Sequence, residues 1–135
     1  MKPFLWEARV YWEDTDAGGI VYYANYLRFL ERARTEWLRA RGVSQLALAR
    51  DPGIVFSVIG LEAQYLRPAR LDDLLAVSCE PQRDGGASIG FGQRIWRGEI
   101  DGELLLSASV RVACLDAASL KPRRLPPVIL RQLPA

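Results

Sequence analysis

With 135 residues, the chain is long enough to bury a substantial core but too short for two domains, so we predict a single domain over residues 1–135. Half of the residues are apolar and a quarter are charged, which excludes a disordered chain. The 18 basic and 16 acidic residues nearly cancel, which excludes a protein that holds nucleic acid by bulk positive charge.

The absence of histidine and the positions of the two cysteines limit the catalytic chemistry that the chain can perform. Histidine is absent, which removes the Ser-His-Asp triad, histidine zinc ligands and the Asp-His dyad that hydratases use. The two cysteines, Cys79 and Cys114, lie far apart in predicted strands without metal-ligand spacing, so we expect free buried thiols. We therefore expect no metal and no cofactor. Any acid–base catalysis must use carboxylates, tyrosines, lysine or a helix end.

The N-terminal stretch and the hydropathy profile indicate where in the cell the protein is expected. The segment MKPFLWEARV lacks the long apolar region of a signal peptide, and no run of 18 apolar residues occurs in the chain. We therefore expect a soluble cytoplasmic protein with no membrane insertion.

The first predicted element is a strand over residues 7–12. Its polarity alternates, which places Ala8, Val10 and Trp12 on a buried face. The strand leads into DTDAGG at residues 14–19, where two carboxylates and two glycines predict a polar loop. A short apolar run and two tyrosines follow, and then a helical pattern begins.

A long amphipathic helix is predicted over residues 24–41. One face repeats apolar side chains at the i, i+3, i+4, i+7 spacing. These side chains are Tyr26, Phe29, Leu30, Ala33, Trp37 and Ala40. About 18 residues rising 1.5 Å each give a length of roughly 27 Å, and Gly42 suits the position that ends the helix. A shorter helix follows over residues 44–50, capped by Ser44.

The rest of the chain has the pattern of strands joined by tight turns. The predicted ranges are residues 54–66, 71–83, 87–100 and 104–114. Asp-Gly-Gly and Asp-Gly between the last three are hairpin signals, which predict antiparallel pairing. The predicted class is α+β, with about five strands in one antiparallel sheet and one long helix. The basic, proline-rich tail over residues 121–131 is irregular, and is either solvated or a phosphate-binding patch.

A carboxylate a few residues before a helix start suggests a chemical role. The first turn of a helix leaves backbone N–H groups unpaired and carries the positive end of the helix dipole, so it can stabilise a developing oxyanion. A carboxylate held opposite those donors could attack a carbonyl or activate water. On spacing alone, a plain polar loop is the stronger interpretation.

Several motifs, in a fixed order along the chain, carry more information than the spacing of the carboxylate and the helix start. The chain contains D-x-D-x-x-G-x-V-Y-Y-x-N-Y from residue 14, FLERAR in the helix, YLRPARLDD at 65–73 and KPRRLP at 121–126. In these motifs it resembles the 4-hydroxybenzoyl-CoA thioesterase-like family of hotdog-fold acyl-CoA thioesterases, near the Tol–Pal-associated branch. The resemblance implies a sheet wrapped around a central helix, and dimers or tetramers with active sites between the subunits.

The resemblance also implies roles for individual residues. Asp16 would be the catalytic carboxylate, as nucleophile or general base, and the backbone N–H near Tyr23 would polarise the thioester carbonyl, while Asp14 braces the loop. The implied substrate-binding positions are Gly18, Gly19, Val21, Tyr22 and Asn25. Coenzyme A phosphates favour arginine and lysine. The candidates for them are Arg67, Arg70, Lys121, Arg123 and Arg124.

One residue departs from the family pattern. The Tol–Pal-associated branch usually carries histidine where this chain has Tyr23, so a mechanism with that histidine as base does not carry over. Tyr23 is then either a proton donor at the catalytic site or a packing residue. We expect an acyl-CoA thioesterase for short-chain aliphatic or aromatic acyl groups. The alternative is a non-catalytic hotdog module that binds acyl-CoA or acyl carrier protein.

The predicted architecture also bears on assembly. One helix over one sheet leaves edge strands uncovered, and such edges are usually protected by a second copy of the chain. We therefore expect a homo-oligomer, either a dimer or a tetramer. We expect partner-subunit residues to complete the substrate pocket, as the resemblance implies.

Overall fold

A computed structural model describes residues 3–134 of the chain. The strands are β1 (Phe4–Arg9), β2 (Ile54–Tyr65), β3 (Leu74–Arg83), β4 (Ser88–Arg97) and β5 (Glu103–Asp116). The helices are α1 (Tyr26–Ala40), α2 (Gln45–Arg50) and α3 (Pro127–Leu130), and 3₁₀ turns occupy Trp12–Asp14 and Tyr23–Asn25. Within this described part, no helix combines the length and the apolar character that are needed to cross a membrane.

All five strands form one antiparallel sheet in the order β1-β3-β4-β5-β2. Strands β3, β4 and β5 are neighbours both in sequence and in the sheet, as the two glycine-containing turns predict. Strands β1 and β2 form the two edges. The predicted α+β class, with five antiparallel strands and one long helix, is confirmed.

Helix α1 buries the predicted apolar stripe. The members that are at most 1% exposed are Phe29, Leu30, Ala33 and Trp37. Burial of each large apolar side chain stabilises the fold by about 1.5–3 kcal/mol. Ala40, predicted on this stripe, is exposed in the last turn, and Leu38 is buried instead. The chain turns back after α1, and the N–H of Val43 bonds to the Leu38 carbonyl at 3.0 Å, so the returning segment covers Leu38 rather than Ala40.

The first strand lies earlier than its alternating pattern predicts. It ends at Arg9, and Trp12 falls in the 3₁₀ turn with 76% of its surface exposed. The carboxylate of Asp14 accepts a hydrogen bond from the Tyr11 N–H, which stabilises this turn and ends the extended backbone. The prediction that Trp12 lies on the buried face of a strand is therefore wrong, whereas Ala8 and Val10 are buried as predicted.

The C-terminal tail is folded onto the domain rather than irregular and solvated throughout. Leu125, Ile129 and Leu133 are buried. Ile129 lies in helix α3, and Leu133 follows that helix. The N–H of Leu125 also bonds to the Gly86 carbonyl at 2.9 Å, which fixes the tail to the β3–β4 turn. Proline-rich composition predicted an irregular segment, but the apolar residues at spacings of four anchor it to the core.

Candidate active site

The aspartate loop folds as a small hairpin in front of α1. Thr15 pairs with Val21, and the N–H of Asp16 bonds to the Ile20 carbonyl at 2.8 Å. The carbonyl of Asp14 accepts hydrogen bonds from the Tyr22 N–H at 3.0 Å and from the Asn25 side chain at 2.9 Å. The loop is therefore joined to the turn that precedes the helix.

The two aspartates of the loop have different environments. Asp14 is 7% exposed, and its Oδ2 accepts the Tyr11 N–H at 2.9 Å. Asp16 is exposed, and its Oδ1 accepts the Gly18 N–H at 2.8 Å. Among residues 3–134, no group donates a hydrogen bond to Oδ2 of Asp16. Asp14 has the contacts of a bracing residue, and Asp16 presents a carboxylate oxygen to solvent.

Both glycines of the loop fit its geometry. A β-carbon on Gly18 would stand 3.2 Å from Oδ1 of Asp16, closer than an ordinary contact. Gly19 has a φ of +78°, in the region that glycine adopts without steric cost. These two positions, predicted to shape the loop, allow the carboxylate of Asp16 to bond back to the loop backbone.

The 3₁₀ turn Tyr23–Asn25 follows the aspartate loop and leads directly into α1. The carbonyl of Tyr22 accepts the Asn25 N–H at 2.8 Å, and the carbonyl of Tyr23 accepts the Tyr65 hydroxyl at 2.9 Å. Among residues 3–134, no backbone or side-chain acceptor bonds to the N–H groups of Tyr23 and Ala24. Such N–H groups can bind an anion or an oxyanion.

An open cavity of about 360 Å³ lies beside this turn. Its lining residues are Ile20, Val21, Tyr23, Tyr26, Tyr65, Leu66, Arg67 and Pro68. The rings of Tyr26 and Tyr65 meet edge to face with centroids 5.4 Å apart, and the hydroxyl of Tyr26 accepts the Ala69 N–H at 2.9 Å. The cavity is largely apolar, with one guanidinium at its rim.

The tyrosines around the cavity keep their protons at neutral pH. Burial raises the pKa of Tyr26 and of Tyr65 above the usual value, and a hydrogen bond with Tyr23 raises the pKa of Tyr22. These three groups are therefore neutral hydroxyls, able to donate hydrogen bonds. Tyr26 and Tyr65 are not among the predicted site residues, because Tyr26 also fits the buried stripe of α1 and Tyr65 lies 42 residues from Tyr23 in the chain.

Arg67 and Arg70 lie on the same side as the aspartate loop. Arg67 lines the cavity, with NH1 3.9 Å from a Glu103 carboxylate oxygen, and its side chain is largely exposed. Arg70 forms an isolated bridge with Ile20 of the loop. Two of the five cations predicted for coenzyme A are therefore next to the candidate site.

The other three predicted cations lie at the opposite end of the sheet. Pro122 bridges to Leu115, whereas Arg67 bonds to the Leu105 carbonyl, and ten residues of β5 span about 33 Å. Arg123 donates from NH1 to the Pro52 and Gly53 carbonyls at 2.8 and 3.1 Å. Lys121 and Arg124 are exposed. One protomer thus does not bring these three residues to its own aspartate loop.

The edge strand β2 exposes apolar side chains. Val58, Ile59, Leu61 and Tyr65 are each 42–52% exposed. The register with β5 shifts between Val58 and Gly60, so a bulge at Ile59 interrupts the pairing. An apolar edge of this length is a surface that proteins usually cover.

Comparisons with known proteins identify relatives of the whole chain. A family model described as thioesterase superfamily matches residues 18–103. Over 129 residues the chain is 46% identical to the acyl-CoA thioester hydrolase YbgC of Escherichia coli, covering 96% of this chain and 94% of that protein. Over 123 residues it is 46% identical to the acyl-CoA thioesterase YbgC of Haemophilus influenzae, with coverages of 91% and 88%. The crystal structure of a probable thioesterase from Bartonella henselae matches with a TM-score of 0.86 and 39% identity, over 93% of this chain and 100% of that one.

Proposed function

This chain belongs to the thioesterase superfamily of hotdog-fold thioester hydrolases, and we propose that it uses Asp16 to hydrolyse acyl-CoA thioesters of short aliphatic or aromatic acids. The proposal rests on the contrast between the two loop aspartates. Asp14 is buried and bonded, whereas Asp16 is exposed and keeps an oxygen without a partner among residues 3–134. The hairpin holds Asp16 seven residues ahead of Tyr23, where the turn with the open N–H groups begins.

Two routes use the same groups. As a nucleophile, Asp16 attacks the thioester carbon, the carbon–sulfur bond breaks and coenzyme A leaves as a thiolate, and water then cleaves the mixed anhydride to release the acid. As a general base, Asp16 removes a proton from a water molecule whose oxygen attacks the same carbon. In both routes the carbonyl oxygen becomes an oxyanion. The N–H groups of Tyr23 and Ala24 would stabilise it by about 3 kcal/mol each.

The dimensions of the aromatic cavity support a small acyl group. A cavity of about 150 Å³ with apolar walls holds one benzene ring, so the roughly 360 Å³ beside Tyr23 is ample for an aromatic ring or a short aliphatic chain together with the thioester. Tyr23 lines the cavity, and the ring centroid of Tyr22 lies 4.8 Å from that of Tyr23, so both side chains would lie close to the substrate. Arg67 at the rim would meet polar groups of the coenzyme A arm.

Assembly through β2 would complete the site. Two copies that pair their β2 strands antiparallel are related by a two-fold axis, so the beginning of one β2 lies against the end of the other. Lys121 and Arg124 lie near the beginning of β2, while Asp16 and Arg67 lie near its end. We therefore place Arg67 and Arg70 of one subunit, together with Lys121, Arg123 and Arg124 of its partner, around the phosphates of coenzyme A in a dimer, or in a tetramer built from such dimers.

The test is thiol release from a panel of acyl-CoA thioesters and acyl carrier protein thioesters. We expect wild type to turn over some short-chain or aromatic members, and Asp16→Asn to lose at least a hundredfold in kcat while it still folds and binds substrate. Asp14→Asn is the matched control, because its amide oxygen can still accept the Tyr11 N–H. Wild-type inactivity on every member, with binding retained, would instead favour the non-catalytic binding module.

The two routes are separable by isotope labelling. In water enriched in oxygen-18, a nucleophilic Asp16 becomes labelled when water attacks the aspartyl carbon of the anhydride, and the label accumulates in its carboxylate over repeated turnovers. A general base transfers the label only to the released acid. Mass spectrometry of the loop peptide after many turnovers detects any label in Asp16, which only the nucleophilic route can introduce.

A further inference from the structure

Tyr65 is the one residue of the edge strand β2 that bonds to the helix-start turn. Its hydroxyl donates to the Tyr23 carbonyl at 2.9 Å, a contact that spans 42 residues of sequence. Its ring packs edge to face against Tyr26, whose own hydroxyl accepts the Ala69 N–H at 2.9 Å. The Tyr65 hydroxyl is thus held by ring packing on one side and by the turn on the other.

This contact acts on the peptide groups that flank Tyr23. The Tyr22 carbonyl is bonded to the Asn25 N–H, and the Tyr23 carbonyl is bonded to the Tyr65 hydroxyl. A peptide group whose carbonyl accepts a hydrogen bond is polarised, and its N–H becomes a stronger donor. The N–H groups of Tyr23 and Ala24 belong to these two peptides. Hydrogen bonds to the carbonyl oxygens of the two peptides therefore orient and polarise both candidate oxyanion donors.

The chemistry of Tyr65 suits this task. Burial raises its pKa above the usual value, and the hydroxyl is consequently protonated and able to donate throughout the neutral range. Asn25 secures the first peptide from within the same turn, and Tyr65 secures the second from another element. Loss of the Tyr65 hydroxyl would leave the Tyr23 carbonyl bonded only within its own turn and helix.

We propose that Tyr65 is a positioning residue for thioester hydrolysis, which holds the Tyr23–Ala24 peptide so that its N–H meets the developing oxyanion. The inference rests on the proposed function of the Asp16 loop. Tyr65 acts through Tyr23 and contributes to the transition state more than to substrate binding. Removing its hydroxyl therefore lowers kcat and leaves KM nearly unchanged.

The kinetic test compares Tyr65→Phe with wild type on the best substrate of the acyl-CoA panel. The variant keeps the ring that packs against Tyr26 and removes only the hydroxyl. We expect kcat to fall about tenfold, the rate equivalent of one hydrogen bond, with KM within about twofold. Tyr11→Phe is the matched control, because Tyr11 is exposed and its hydroxyl makes no hydrogen bond within residues 3–134. An unchanged kcat, or a loss confined to KM, would overturn the proposal.

A spectroscopic readout separates positioning from loss of structure. In an Asp16→Asn background, the infrared stretch of an isotopically labelled thioester carbonyl reports how strongly the bound substrate is polarised. We expect the stretch to shift back toward its solution frequency when Tyr65→Phe is added, with unchanged thermal unfolding. An identical stretch in both proteins would contradict the role of Tyr65. Failure of Asp16→Asn to reduce turnover would instead contradict the catalytic role of Asp16, and the carbonyl measurement distinguishes the two failures.

Discussion

The side chain of Asn25 donates a hydrogen bond to the main-chain carbonyl of Asp14, with 2.9 Å between Nδ2 and the oxygen. The same carbonyl accepts the Tyr22 N–H at 3.0 Å. These two bonds tie the aspartate loop to the turn that begins α1. The distance between the Asp16 carboxylate and the open N–H groups consequently depends on a residue that supplies no chemistry of its own.

Replacing Asn25 with alanine should loosen this connection. We expect Asn25→Ala to lose about 1 kcal/mol of unfolding free energy and to lower kcat severalfold, because the loop carbonyl loses a donor. Asn25→Asp should be worse, because a carboxylate would face the carbonyl oxygen. Urea denaturation and thiol release measure the two effects. Gln45→Ala, which removes an exposed bond to Thr35, is the control and should leave both quantities near wild type.

Asp14 should behave as a structural residue. In Asp14→Ala the Tyr11 N–H loses the acceptor of a partly buried hydrogen bond, and we expect a loss of about 1–2 kcal/mol in unfolding free energy. Asp14→Asn retains an acceptor oxygen and should lose much less. Thermal unfolding of the two variants checks the difference. Equal and full loss of turnover in both, at wild-type stability, would show instead that the Asp14 charge takes part in the chemistry.

Local patterns predicted most of the fold. Strand alternation and glycine turns identified β3, β4 and β5 because these elements are sequential neighbours, so that their pairing depends on short-range signals. The strand at residues 7–12 was misplaced because the alternation of polarity continues to Trp12. In the structure Trp12 begins a 3₁₀ turn, which the bond from the Tyr11 N–H to the Asp14 carboxylate stabilises. A side chain that bonds to backbone three residues earlier overrode the strand pattern.

The candidate site was predictable only where its residues are close in sequence. The aspartates, the glycines and the helix start form one continuous motif, and the structure keeps them together. The contact between Tyr65 and Tyr23 depends on where the end of β2 meets α1, which no local signal states. The same limit explains why only two of the five predicted coenzyme A cations lie beside the aspartate loop. KPRRLP and YLRPAR are both basic, but they lie at opposite ends of β5.

A buried polar network beneath α1 was also invisible in the sequence. Gln93 is 1% exposed, and its Oε1 accepts NH1 of Arg34 at 2.9 Å. Its Nε2 donates to the carbonyls of Leu30 and Ser78 at 3.0 and 3.2 Å. Arg34 is partly buried, and this desolvation lowers the pKa of its guanidinium. Gln93 thus joins the helix, strand β3 and a partly desolvated cation.

Removing the central amide should be costly. We expect Gln93→Leu to lose about 2–4 kcal/mol, because Arg34 loses its acceptor while it stays desolvated. The double variant Arg34→Met with Gln93→Leu should be more stable than the two separate losses predict, since no unpaired cation is left. Urea denaturation of the four proteins gives the coupling free energy. Additive losses would mean that Arg34 reaches solvent when Gln93 is replaced.

The thiol of Cys79 should make stability depend on pH. Burial raises the pKa of Cys79 to about 12, against the opposing effect of Arg34 and Arg41. Above pH 9 the unfolded thiol loses its proton while the folded thiol keeps it, so the unfolded state binds fewer protons and unfolding free energy falls as pH rises. Relative to pH 7, we expect Cys79 to contribute a loss of about 2 kcal/mol at pH 10.

The control for this prediction removes the thiol. Cys79→Ala is less stable than wild type at pH 7 because it leaves a small cavity, but its loss between pH 7 and pH 10 should be smaller by about 2 kcal/mol. Urea denaturation at the two pH values measures both slopes. Equal slopes in the two proteins would mean that the Cys79 thiol ionises in the folded state as readily as in the unfolded state.

The exposed apolar edge of β2 predicts how the enzyme assembles. Ile59 is 52% exposed in the middle of this edge, where a two-fold axis would place it close to its counterpart. We expect wild type to be a dimer or larger, and Ile59→Lys to be monomeric, because like charges would meet at the axis. Light scattering after size exclusion measures the mass. Activity should fall at least tenfold with assembly, because Lys121 and Arg124 would no longer reach the partner's site.

The matched control lies on the opposite edge of the sheet. Leu5 on β1 is 38% exposed, and Leu5→Lys adds the same charge to an edge strand that the proposed dimer leaves free. We expect this variant to keep wild-type mass and turnover. If Ile59→Lys stays a dimer and Leu5→Lys dissociates, subunits pair through β1 rather than β2. Lys121 and Arg124 would then lose their route to the Asp16 loop, and Arg67 and Arg70 alone would remain to hold coenzyme A.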